Sequence, residues 1–150
     1  MLRLSDAAFS PGAELSAFEK NAMGAGAIVS FSGLVRDAAS SGEVISLYLQ
    51  AYSPLTERGI EKAMTEAEAR WALTALTVIH RTGNMHPGEA IVFVAAASAH
   101  RRAAFKAADF LMDYLKTEAI FWKKEVTSKG EHWIEPRVQD YEDRARWEKA

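Results

Sequence analysis

Between Ser98 and Glu125 the apolar positions Ala104, Phe105, Ala108, Leu111, Met112 and Leu115 recur at steps of three and four, the spacing of one helix face. Ser98 is the expected N-cap of this helix, and Lys116 suits its C-terminal dipole. A second helix is expected behind Ser53-Pro54, with Ser53 as N-cap and Pro54 at its first position. It carries Leu55, Ile60, Ala63, Met64, Ala67 and Trp71 on its apolar side, and a costly Gly59 inside. A short helix after Ser10-Pro11 carries Ala13, Leu15, Phe18 and Met23, and Gly24 and Gly26 close it. Runs rich in β-branched and aromatic residues predict strands at 27–35, 44–52, 73–81 and 89–97. A further strand at 121–126 is expected to pair through Ser128-Lys129-Gly130 with 132–135, setting Trp122 against Trp133 as core. Residues 36–42 read as a small polar loop, 83–88 as a turn, and the tail from Gln139 to Ala150 as a loose helix. Helices interspersed with hairpin-like strand pairs give an α+β fold with two main helices and a mostly antiparallel sheet, one domain over residues 1–150.

The polar side of the long helix changes the picture. His100, Arg101 and Arg102 fill its first turn, where free N–H groups already carry partial positive charge and acidic residues are favoured. Cations there repel those groups unless an anion lies between them, which makes the helix start a candidate anion site. At the other end, Lys116 and Lys123 would share a face about 10.5 Å apart on a continuous helix. A helix ending near Ala119 lets them converge more closely.

Composition narrows the function. The chain has 150 residues, 49% hydrophobic and 25% charged, enough for a real core. A net charge of −2 and pI near 6.1 argue against bulk electrostatic binding of nucleic acid. No apolar run has the length of a membrane span and the N-terminus lacks a signal-peptide core, so a cytoplasmic protein is expected. Cysteine is absent, which removes disulfides, a thiolate nucleophile and every Cys-based zinc site. Any sulfur handled here must arrive on another molecule. The four histidines, His80, His86, His100 and His132, have no metal-binding spacing, so neither a metal nor a cofactor is expected. His80, at the end of an apolar strand, reads as a hydrogen-bonded structural residue.

Four segments, VSFSGLVR (29–36), VIHRTGNMHPGE (78–89), IVFVAAASAHRRAAFKAADFLMDYLKTEAIFWKKE (91–125) and HWIEPR (132–137), together resemble the large, catalytic subunit of molybdopterin synthase along almost the whole chain. Gln50 and Leu55 stand where that family often has an acidic residue and a methionine. The resemblance implies a fold of the α/β-hammerhead type. It implies a reaction too, in which cyclic pyranopterin monophosphate becomes molybdopterin by insertion of two sulfurs as a dithiolene. The sulfur donor would be the C-terminal Gly-Gly thiocarboxylate of a small ubiquitin-like subunit, and the assembly a homodimer of catalytic subunits within a heterotetramer. By position, the resemblance implies Lys116 as principal catalytic residue with Lys123 as companion. It implies substrate contacts from Arg36 with the main chain of Leu34 and Val35, and from His100, Arg101, Lys124, Glu125 and Arg137, some of them acting across a dimer interface. The lysine chemistry stays open between nucleophile, acid–base group and charged clamp. Two other functions fit parts of the pattern: an adaptor gripping a ubiquitin-like tail without chemistry, and an RNA-binding module, which the acidic pI disfavours.

Overall fold

In a computed structural model, which describes residues 1–149, two sheets and four α-helices pack around three apolar clusters. The first sheet has the order β1-β5-β7-β2, formed by β1 (Leu2–Ser5), β5 (Ala75–Arg81), β7 (Ala90–Ser98) and β2 (Ala27–Leu34). Its pairings are antiparallel except for β1 with β5. The second sheet joins β3 (Ala38–Ala39), β4 (Gly42–Ala51), β8 (Phe121–Thr127) and β9 (Gly130–Trp133) in sequence, with β6 (Gly83–Met85) also on β4. This is the expected α+β arrangement of mostly antiparallel strands.

The near-continuous apolar run of β7 follows from burial on both faces. Val92, Val94 and Ala96 face α2 (Leu55–Arg70) and α3 (Arg101–Thr117), joining Ile60, Ala63, Ala67, Phe110 and Leu111. Phe93, Ala95 and Ala97 face α1 (Pro11–Asn21), where Phe18 and Ala22 close the opposite side. The second sheet has its own core of Val35, Val44, Leu47, Leu49 and Met85.

Several helix starts differ from expectation. Ser10 does cap α1, its Oγ accepting from the Ala13 amide at 3.3 Å, but Met23 lies beyond the helix and is exposed. Ser98 does not cap α3. It is the buried last residue of β7, and His100 takes the cap position without a side-chain hydrogen bond. Likewise Pro54, not Ser53, precedes α2, and the Ser53 hydroxyl donates to Glu57 instead. Gly59 inside α2 has a packing reason: a Cβ there would stand 2.5 Å from the Tyr114 hydroxyl. Three short strands also appear where the sequence predicted none. β1 pairs in parallel with β5, and the loop at 36–42 and the turn at 83–88 contain β3 and β6.

The tail is not loose. It forms α4 (Val138–Ala145) and a 3-10 turn over Arg146–Lys149, while Ala150, the end of the expected helix, lies outside the described residues. Trp147 is buried, packs edge-on against Trp71 and Phe110, and donates from Nε1 to Asp113 at 2.6 Å. Arg146 bridges Asp109 and Asp113 at 2.7 and 2.9 Å, so the C-terminal segment is fastened to the back of α3. Trp122 and Trp133 are not core. They meet edge-to-face at 5.4 Å on the outer side of the β8–β9 hairpin, each more than half exposed.

Candidate active site

The helix α3 ends at Thr117, and only three residues separate it from β8. This tight connection returns the chain beside the helix end, so Lys116 and Lys123 open onto one cavity of about 250 Å³. Arg36, from the β2–β3 connection, joins them. The segment from Ile134 through Arg137, with Asp140 and Tyr141 of α4, forms the remaining wall.

Alternation along β8 decides which lysine belongs to the cavity. Lys123 pairs with Leu49, which is buried, and so lies on the inner face of the sheet. Lys124 is on the outer face, where its ammonium lies 3.4 Å from Glu131 and 5.8 Å from the Trp133 ring centre. Burial and the charge of Lys116 hold the Lys123 ammonium well below the usual lysine range, at about 8, against an opposing pull from Asp140. At pH 7 about one Lys123 in ten is therefore neutral, where an ordinary lysine offers about one in three thousand.

His80 lies outside the cavity lining, behind Phe121. Its ring stacks on Phe121 with centroids 4.2 Å apart, and Nδ1 donates to the Arg81 carbonyl at 3.0 Å. The structural reading of this residue is correct. Desolvation lowers its pKa to about 4, partly offset by the Arg81 hydrogen bond, and the charges of Lys123 and Lys116 lower it further. The imidazole, stacked behind Phe121 of the cavity wall, is thus neutral above pH 5.

Asp140 was not legible as a site residue. It is the third residue of α4, and its Oδ2 accepts from the Arg137 amide at 2.8 Å. Arg137 Nε and Nη2 also donate to this carboxylate, at 3.4 and 3.0 Å. Among the described residues lining the cavity it is the one buried acid, facing Lys116, Lys123, Arg36 and Arg137.

Of the residues expected at the site, the structure therefore gathers Lys116, Lys123, Arg36 and Arg137. Lys124 points to the other face of the sheet. Glu125 shares the inner face with Lys123 but does not line the cavity. Leu34 is exposed at the end of β2, and the main chain of Val35 is already engaged, its amide donating to Glu89 and its carbonyl accepting from Gly88. His100 and Arg101 begin α3 and are exposed. Lys116 lies fifteen positions after Arg101, about 22 Å along the axis, so one chain holds two distinct cation clusters. Among the described residues no group of three or more His, Asp or Glu side chains is placed to hold a metal ion, and no helix is long and apolar enough to cross a membrane.

Comparison with known proteins gives the same family throughout. The family described as MoaE protein matches residues 4–118. A molybdopterin synthase catalytic subunit from Pseudomonas aeruginosa is 49% identical over 147 residues, 98% of each chain. A solved molybdopterin biosynthesis MoaE protein from Burkholderia ambifaria superposes with a TM-score of 0.83 at 39% identity, covering 99% of this chain and 97% of that one. The same fold, at 20% identity, TM-score 0.76 and 91% coverage of both chains, occurs in a complex of subunits 1 and 2 of the molybdopterin-converting factor from Helicobacter pylori.

Proposed function

Because the chain belongs to the MoaE protein family, whose matched relatives are molybdopterin synthase catalytic subunits, we propose that the lysine cavity is where it transfers sulfur to a pterin. The chain is a sulfurtransferase of molybdenum cofactor biosynthesis. The substrate is cyclic pyranopterin monophosphate, and the donor is the C-terminal Gly-Gly thiocarboxylate of a small ubiquitin-like partner. Lys116 is the cation that meets the thiocarboxylate and the oxyanions formed as its sulfur leaves, and Lys123 is the acid–base group beside it. Arg36 and Arg137 hold the anionic ends of the reactants. One observation carries this reading: two lysines from different elements meet in one cavity, and one of them is poised near neutral pH. An adaptor that only grips a tail needs the cations but has no use for that poise.

Assembly follows from the same reading. The small subunit delivers its tail to the cavity, and two catalytic subunits pair so that His100 and Arg101 of one serve the other's substrate. Support for pairing comes from the free edge of β2 and the apolar groove beside it, about 420 Å³, with Phe31, Phe105 and Met112 in its lining. Phe31 and Phe105 are both exposed in the single chain.

The test is reconstitution with precursor and a thiocarboxylated small partner. Wild-type protein should give dithiolene product, and Lys116→Ala should give none while melting no lower than wild type, since Lys116 is exposed and outside the core. Near-normal turnover by Lys116→Ala would remove the assignment.

A further inference from the structure

The cavity concentrates four cations, Arg36, Lys116, Lys123 and Arg137, and charge of one sign in a small volume works against itself. Unopposed, Arg137 would have reason to swing into solvent, and its side chain is 76% exposed even in place. What keeps it at the cavity wall is Asp140, through the three hydrogen bonds that close the first turn of α4.

We propose that Asp140 is a positioning residue of the sulfur-transfer pocket, fixing Arg137 as the outer cation for an incoming anion and offsetting the crowded charge of the two lysines. The proposal rests on the sulfur-transfer reading given above. Three independent features meet at this carboxylate. It is 7% exposed, and so is largely removed from competing water. It lines the same cavity as both lysines, and its own pKa is held down by Arg137 first and by Lys116 as well. Its geometry toward Arg137 includes the side chain as well as the backbone amide, whereas capping a helix needs only the amide. An anion arriving at the cavity meets a guanidinium already ordered, which saves the entropy of immobilising a long side chain on binding.

The charged groups that share the cavity with Lys123 are Lys116 from α3, Arg36 from the β2–β3 connection, and Arg137 and Asp140 at the start of α4, while the nearby His80 of β5 is neutral across the range used. Asp140→Asn keeps an oxygen for the Arg137 amide and removes the charge. In the full-length protein with carbon-13-labelled lysine, the Lys123 titration should move about one pH unit to lower pH in Asp140→Asn, the scale of one nearby charge in a half-open pocket. Asp140→Glu should restore most of it. In reconstitution, Asp140→Asn should raise KM for the phosphorylated precursor about tenfold, the loss of one charge-assisted contact. Arg137→Gln, which leaves the carboxylate in place, should raise KM alike without lowering the Lys123 titration. An unchanged Lys123 titration, or an unchanged KM, in Asp140→Asn would show that Asp140 only caps α4. A wild-type protein that makes no product would refute the sulfur-transfer reading instead, and the lysine titration would still report on Asp140.

Discussion

Lys123 should cost the protein stability, and the cost can be read from its protonation. Its ammonium titrates at about 8 in the fold against 10.5 as an ordinary lysine, so the folded state disfavours the charged form. Stability from this residue is therefore complete above pH 10.5, where both states are neutral, and is lost as pH falls towards 8. Over 2.5 units that amounts to roughly 3 kcal/mol at pH 7. The cavity is open to solvent, and screening reduces the figure to about 1–2 kcal/mol. Lys123→Met keeps the length of the side chain and removes the charge. It should stabilise the protein by that amount at pH 7, raising Tm by roughly 3–6 °C, while abolishing product formation. Urea unfolding at intervals from pH 7 to 10.5 should show the advantage of the variant shrinking steadily above pH 8. A variant no more stable than wild type at pH 7, or one whose advantage ignores pH, would refute the reasoning.

Two further predictions concern the scaffold. His80 titrates at about 4 in the fold against 6.5 unfolded, so the unfolded chain takes up the proton first and stability falls as pH drops through that window, by about 3 kcal/mol in all. Urea melts should show His80→Asn, which preserves a donor to the Arg81 carbonyl, to be flatter between pH 6.5 and 4 than wild type. Gly59→Ala gains about 1 kcal/mol of helix propensity but drives its Cβ to 2.5 Å from the Tyr114 hydroxyl, so it should destabilise by a net 1–2 kcal/mol. Adding Tyr114→Phe should recover the loss, and additive effects of the two substitutions in thermal melts would disprove the contact.

The long periodic elements were legible because burial imposes period. The apolar spacing of α3 and the double-sided run of β7 each state which neighbours they need. The convergence of Lys116 and Lys123 was foreseeable once the helix was expected to stop short of β8. What the sequence hid was long-range. The four-residue β1 and three-residue β6 are too short to carry a pattern, and exist because β5 and β4 offer them edges. Ser98 looks like an N-cap locally, yet strand pairing with Ala27 continues through it and buries it. Trp122 and Trp133 have the composition of a core pair, and pattern alone does not say that their side of the hairpin is uncovered. Asp140 was lost in a charged tail because its cap partner is an arginine, which no capping signature anticipates.

The order of the chain separates scaffold from site. Most of the cover on both faces of the first sheet comes from residues up to Thr117, with Trp147 added from the tail, whereas Lys123, Arg137, Asp140 and Tyr141 all come after α3. During synthesis, at about 5–20 residues per second, the residues up to Thr117 are made about one to five seconds before Tyr141 completes the cavity. A nascent chain thus acquires a folded body while still catalytically blank. Translation halted in that interval would release a product with most of its main core but without Trp147, so the uncovered Trp71 and Phe110 are what quality control would have to detect.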